Sequence, residues 1–257
     1  MNRVPDAKRE RYLQEMGLGP VWRLRARREP PKAPVDPPQP APRRPTPPRF
    51  DPVPGLTGRT KLDLADDRAA RILRMDWPEL KSAVKACEAC GLRKTCTQTV
   101  FGVGDEQADW LLVGEAPGAE EDARGEPFVG QAGRLLDAML AAIGLARGEN
   151  VYICNVLKCR PPGNRNPEPF EVGQCAPHLL RQLDLIKPKL ILAMGRFAVQ
   201  TLLGTGASIA SLRGRLHRYQ GVPLIVTYHP AYLLRNLPDK AKAWEDLCFA
   251  RRSIAAL

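Results

Sequence analysis

The 257-residue chain lacks any apolar stretch approaching the roughly 18 residues of a membrane span. Its opening, Met1-Asn2-Arg3-Val4-Pro5-Asp6, runs into no apolar segment, so no secretory leader is expected and a cytoplasmic setting is. Disulfides are then not expected either, and the seven cysteines are read as thiols or metal-bound thiolates. Neither G-x-G-x-x-G nor G-K-S/T occurs, which leaves a nucleotide-phosphate cradle poorly supported. Histidine is scarce, with three copies, so one falling in a ligand-facing loop attracts notice.

Positive charge and proline are plentiful. Lys and Arg number 39 against 28 acidic residues, a net charge of +11 that favours a polyanionic partner, nucleic acid ahead of an anionic membrane. Between Pro30 and Pro54 proline dominates, as in Pro45-Thr46-Pro47-Pro48, and such a segment builds no packed core. Basic runs precede it, among them Arg25-Ala26-Arg27-Arg28. Residues 1–75 are therefore expected to form a basic, proline-rich, disordered extension. It either tethers the chain to DNA or a partner protein or merely solubilises it.

A compact domain is expected over 76–257. Asp76 can cap a helix that carries Pro78 in its first turn and runs toward Cys87. Short apolar runs at 110–113, 151–154, 190–193 and 223–227 read as strands, and they alternate with helical patterns at 133–143, 169–185, 196–203 and 240–253. Near-continuous apolar strands alternating with helices predict an α/β fold of three layers, α/β/α, around a central, mostly parallel four-stranded sheet. Ligands of such sheets bind beyond the carboxyl ends of the strands.

Three stretches lie at those ends. The first, Gly114-Glu115-Ala116-Pro117-Gly118 through Glu121 to Phe128 and Gly133, follows one strand and precedes a helix. Its glycines permit close backbone approach. Phe128 within it either packs as an anchor or offers its face to a planar ligand, and spacing alone favours the anchor. The second, Tyr228-His229-Pro230-Ala231-Tyr232-Leu233-Leu234-Arg235, follows the last strand, and His229 taken singly reads as a turn cap. The third, Asn155-Val156-Leu157-Lys158-Cys159-Arg160-Pro161-Pro162-Gly163-Asn164, opens on an amide that can donate and accept at once, as a pyrimidine edge requires.

Cys87 and Cys90 form a tight C-x-x-C pair, whereas Cys159 and Cys175, far downstream, have fifteen residues between them. A tandem zinc ribbon uses two close knuckles instead. Thiolates from distant segments suit a 4Fe-4S cluster. Cys96 is the rival fourth ligand, and Cys154 and Cys248, in apolar surroundings, read as buried thiols. Gln182-Leu183-Asp184-Leu185-Ile186 is similar to a sliding-clamp peptide, but its place at the end of an amphipathic helix makes it core.

Taken together, G-E-A-P-G, P-F-V-G, N-V-x-K-C-R-P-P and H-P-A-Y-L-L-R, with the four cysteines, resemble the family 4 uracil-DNA glycosylases, the iron–sulfur branch of that superfamily. The resemblance spans about Trp77 to Arg252 and leaves out the proline-rich arm. It implies a monofunctional enzyme that hydrolyses the N-glycosidic bond of uracil in DNA, single- or double-stranded, to start base excision repair. It also implies a cluster on Cys87, Cys90, Cys159 and Cys175. Phe128 is implied as the stacking platform for an everted uracil, Asn155 as the reader of its Watson–Crick edge, and His229 as the donor to O2. Glu121 is implied as the block against a 5-methyl group and Leu233 as the DNA wedge. Gly114, Ala116 and Asn164 are implied to line the site. Some relatives in the superfamily carry an aspartate where Ala116 stands, so Glu115 and the backbone of that loop are expected to position water. Lys158 and Arg235 are expected to contact phosphates. The chain is expected to act as a monomer with no membrane partner, its arm contacting a repair or replication protein. The alternative is a uracil-DNA trap with little turnover, but the K-R-R-I-H pattern of the covalently trapping branch is absent.

Overall fold

The computed structural model describes residues 68–256, and the proline-rich stretch and the basic runs before it lie outside the described residues. A six-stranded sheet forms the middle layer. Its strands are β1 (Val103–Gly104), β2 (Trp110–Gly114), β3 (Val151–Asn155), β4 (Leu190–Met194), β5 (His217–Tyr219) and β6 (Val222–Thr227). Their order is β1-β3-β2-β4-β6-β5. The four inner strands, β3, β2, β4 and β6, run parallel and are the four that the apolar runs predict. The sheet gains an antiparallel strand at each edge, β1 on β3 and β5 on β6, which the apolar pattern does not reveal. Both are short, of two and three residues, and at best half-buried, so neither carries an apolar run.

From Trp77 onward eight α-helices flank the sheet: α1 (Trp77–Lys85), α2 (Ala119–Arg124), α3 (Gln131–Ala142), α4 (Pro169–Ile186), α5 (Arg196–Leu203), α6 (Ile209–Leu212), α7 (Pro230–Arg235) and α8 (Lys240–Ile254). Successive strand side chains point to opposite faces, and the two cores follow that alternation. Trp110, Leu112, Ile153, Leu192 and Ile225 pack with Leu136 and Leu140 of α3 and Leu247 of α8. Leu111, Val113, Tyr152, Ile191 and Leu224 pack with Leu179 and Leu183 of α4 and Val199 of α5. Each such aliphatic side chain contributes about 1.5–3 kcal/mol relative to exposure, so the sheet is fixed from both faces.

The helix start expected at Asp76 is present as a capping box. Asp76 Oδ1 accepts from the Glu79 amide at 2.9 Å, and Glu79 Oε2 accepts from the Asp76 amide at 2.9 Å. Packing begins upstream of that cap, however. Residues 68–72 are helical, Ile72 is buried, and Arg68 reaches the Gln174 carbonyl at 3.1 Å. Five residues are too few to show a period in the sequence. Gln182, Leu183 and Ile186 are buried in α4, which keeps the clamp-like peptide in the core as expected.

The sheet register brings the ligand-facing loops to one edge. Gly114 at the end of β2 pairs with Asn155 at the end of β3. Thr227 ends β6 two residues before His229.

Candidate active site

Gly114 sits where the side chains of Asn155 and Phe128 meet. A Cβ built on it would lie 2.3 Å from Asn155 Oδ1 and 2.7 Å from Phe128 Cζ, so only glycine lets the amide and the ring close over this backbone. Asn155 is 2% exposed, and its Oδ1 is buried without a hydrogen-bond partner. A buried acceptor left unpaired costs about 1–3 kcal/mol, so it requires an explanation.

Phe128 is buried, as the anchor reading expects, but what it packs against is the site itself. Its ring stacks on that of His229 with centroids 5.3 Å apart and planes at 28°. That spacing is less than the roughly 7 Å, two carbon contact distances, that a ring inserted between them would need. A base stacked on Phe128 therefore takes its place beside the imidazole, edge toward it, or displaces it.

His229 caps α7. The Ala231 amide donates to Nδ1 at 3.2 Å, which leaves the ring proton on Nε2. Part of the side chain reaches solvent, but the ring is deeply packed, and this burial pushes its pKa down to about 4. Nearby Arg235 lowers it further and Glu121 opposes the shift. The imidazole is thus a neutral donor at pH 7. The left-handed backbone of Gly195 (φ 89°) brings the start of α5 against it, where a Cβ would lie 2.8 Å from His229 Cβ.

Glu121 fastens two loops. Its Oε2 accepts from the Gly118 amide and its Oε1 from the Val129 amide, each at 3.1 Å, one residue beyond Phe128. Glu115 is half-buried, and burial raises its pKa to about 7 despite the Arg196 charge. Its carbonyl accepts from Leu157 at 3.0 Å, and the Gly114 carbonyl accepts from Val156 at 3.0 Å, so this loop rests on the segment leading to Cys159. Ala116 packs against Leu92, Cys96, Leu157 and Cys159.

A carboxyl group that ionises near pH 7 sets a prediction. The excision rate should rise as pH increases through about 7, where Glu115 gains its charge, and level off above. Glu115→Gln should abolish that rise. Because folding raises this pKa above its unfolded value, the stability it contributes is present below about 4.5 and lost as pH rises through about 7. Glu115→Gln should therefore raise Tm at pH 8 while lowering activity; calorimetry and a pH–rate profile check both halves.

Several site expectations are corrected. Leu233 is 1% exposed inside the apolar core and cannot wedge into a base stack from there, whereas Leu234 is 38% exposed. Lys158 contacts no phosphate position: it is 2% exposed, and its Nζ donates to the Asn155 carbonyl at 2.8 Å and to Gln182 Oε1 at 2.7 Å. It braces the strand end that carries Asn155. Asn164 stands on an exposed loop with its Oδ1 taken by Arg160 at 2.7 Å, so it shapes that loop instead of joining the pocket. Arg235 is exposed in the last turn of α7. Arg147, which composition marks only as one more surface charge, donates to the Pro127 and Phe128 carbonyls.

Cys87, Cys90, Cys159 and Cys175 line one cavity together with His178. The Lys158 amide donates to Cys175 Sγ at 3.3 Å and Arg68 Nη2 to Cys87 Sγ at 3.4 Å, contacts that suit anionic sulfur. Arg68 also donates to His178 Nε2 at 3.1 Å, which puts the proton on Nδ1, and that buried nitrogen has no partner. Among the described residues no three metal-binding side chains converge on a point that one ion could occupy. Cys96 turns its thiol to the Arg93 carbonyl and does not line the cavity. Cys154 is buried as expected, but Cys248 is half-buried.

The family description of the uracil DNA glycosylase superfamily matches residues 101–248. The type-4 uracil-DNA glycosylase of Archaeoglobus fulgidus is 48% identical over 159 residues, 59% of this chain and 79% of the relative. That of Thermotoga maritima is 46% identical over 161 residues, 62% and 83% of the two chains. That of Pyrobaculum aerophilum is 41% identical over 183 residues, 67% and 92%. The chain belongs to the uracil-DNA glycosylase superfamily, in the type-4 branch.

Proposed function

We propose that this chain hydrolyses the N-glycosidic bond of uracil everted from DNA. The observation that supports this reading is Phe128, stacked on the neutral His229 ring and lying with the unpaired Asn155 Oδ1 against the Gly114 backbone. Eversion costs a few kcal/mol, and stacking on Phe128 offsets about 1–3 kcal/mol of it. Asn155 Oδ1 accepts the N3 proton and its Nδ2 donates to O4. Cytosine presents an acceptor at N3 and a donor at N4, so both contacts fail for it. Glu121, tied down beside the platform, stands against the 5-position and rejects a methyl group. Leu234 fills the emptied stack.

As the bond from C1′ to N1 breaks, its electron pair moves into the base and negative charge gathers on O2, where His229 Nε2–H donates. Water held by Glu115 and the Gly114–Gly118 backbone then adds to C1′ and gives its proton to Glu115. Glu115 gives that proton up to solvent and the departing uracil anion takes one up at N1, so the products are free uracil and an abasic sugar in an intact strand.

A uracil-containing oligonucleotide treated with the protein and then with alkali tests this reading. Many cleavages per protein molecule are expected. A stoichiometric protein–DNA adduct, or no cleavage, would contradict it.

We further infer that Cys87, Cys90, Cys159 and Cys175 hold a 4Fe-4S cluster. The shared cavity, the donors to two of the sulfurs and the unpaired His178 Nδ1 support this fit. Bound there, the cluster supplies iron–thiolate links among the Cys87–Cys90 segment, the Cys159 loop and α4. Lys158 then joins that loop to Asn155. Anaerobically purified protein should absorb broadly at about 400 nm. Cys175→Ser should remove that band and lower Tm, whereas Cys96→Ser should leave the band intact. A colourless protein with stoichiometric zinc would overturn the assignment.

A further inference from the structure

The segment that carries Phe128 is held in an unfavourable shape. Phe128 has φ of 56°, in the left-handed region, which costs a side-chain-bearing residue roughly 1–2 kcal/mol. Its carbonyl and that of Pro127 lie outside the ladders of helix and sheet, so something else must satisfy them. Arg147, in the loop between α3 and β3, does so. Nη1 donates to the Pro127 carbonyl at 2.9 Å and Nη2 to the Phe128 carbonyl at 2.8 Å. Nε donates to Asp137 Oδ1 of α3 at 3.0 Å, which fixes the plane of the fork. The same peptide is confined elsewhere: Glu121 holds the next amide, and at Gly133 a Cβ would lie 1.8 Å from the Phe128 carbonyl oxygen.

We propose that Arg147, oriented by Asp137, is the positioning residue that sets the angle of the base-stacking platform. The proposal rests on the reading of Phe128 as that platform. Arg147 acts through two backbone carbonyls and touches no base. A planar guanidinium addresses two successive carbonyls and a carboxylate in one fixed fork; the three donors of an ammonium radiate from a single nitrogen and do not fix that plane. This separates positioning from a general role in attracting DNA, which lysine would fill as well.

The test uses the full chain and the variants Arg147→Ala, Arg147→Lys, Phe128→Ala and the double Phe128→Ala/Arg147→Ala. Single-turnover excision is measured alongside affinity for two oligonucleotides, one with a hydrolysis-resistant 2′-fluorodeoxyuridine and one with a tetrahydrofuran abasic analogue. Arg147→Ala should lower the rate and the fluorodeoxyuridine affinity by about 5- to 50-fold, within the span of a base–aromatic stack. Affinity for the abasic analogue should be unchanged. Arg147→Lys should behave like Arg147→Ala, and the double variant should be no worse than Phe128→Ala alone.

Equal loss on both oligonucleotides, full activity with lysine, or additive losses in the double variant would each overturn the proposal. If Phe128→Ala is itself silent, the platform reading fails first. If Phe128→Ala is impaired and Arg147→Ala is not, this inference alone fails. Should alanine at 147 unfold the chain, Asp137→Asn, which keeps the space filled, is expected to show the same selective loss, and a wild-type profile there would refute the idea.

Discussion

Replacing His229 by alanine should slow single-turnover uracil excision by about 10²- to 10³-fold, the effect of losing one preorganised donor worth about 3–4 kcal/mol to a developing anion. Affinity for uracil-free DNA should barely change, because the imidazole is spent on charge that exists only while the bond is breaking. The donor role depends on the fixed tautomer, with the Ala231 amide on Nδ1 and the proton left on Nε2. It also depends on neutrality. Burial holds this pKa near 4, so between pH 5 and 8 His229 adds no limb of its own to the rate profile. The depressed pKa contributes stability that is present above the unfolded value of 6.5 and lost as pH falls through about 4. His229→Ala should therefore flatten part of the acid limb of a stability curve. Equal losses in rate and in DNA affinity would assign His229 to binding and remove it from the chemistry.

The second large effect belongs to Asn155. Asn155→Asp keeps the size of the side chain but replaces the Nδ2 donor by an acceptor. Uracil O4 then faces an oxygen, and excision should fall by about 10²- to 10⁴-fold, the range over which a site built on hydrogen bonds rejects a mismatched partner. The cytosine N4 amino group, by contrast, gains an acceptor. The ratio of uracil to cytosine excision on otherwise identical single strands should therefore collapse, and the loss should exceed that of Asn155→Ala only for uracil. A ratio unchanged from wild type would show that the amide does not read the base edge. The buried and unpaired Oδ1 makes that outcome hard to reconcile with the fold, because nothing else in the described structure satisfies it.

Much of this site was legible because its residues sit at strand ends, where an apolar run stops and chemistry begins. Asn155 and His229 could be placed from the runs at 151–154 and 223–227 alone, and the parallel sheet puts both at the carboxyl ends of its strands, with β2 and β4 between theirs. Residues whose role lies in direction escaped the reading. Leu233 and Leu234 are adjacent on α7, about 100° apart around its axis, and only packing decides which faces the core. Lys158 follows the same logic: a lysine beside a strand end usually faces water, and only the Gln182 acceptor on α4, 24 residues on, explains why this one is buried. Arg147 leaves no periodic signal, because its partners are backbone carbonyls that every sequence has. The edge strands β1 and β5 were illegible for a different reason: two or three half-exposed residues paired on one side carry no apolar pattern.

The most direct measurement is the crystal structure of the protein with free uracil. The ring should lie on the face of Phe128, its N3–O4 edge against the Asn155 side chain and its O2 within hydrogen-bond distance of His229 Nε2. Uracil bound elsewhere, or held at this place with the amide and the imidazole turned away from it, would contradict the account.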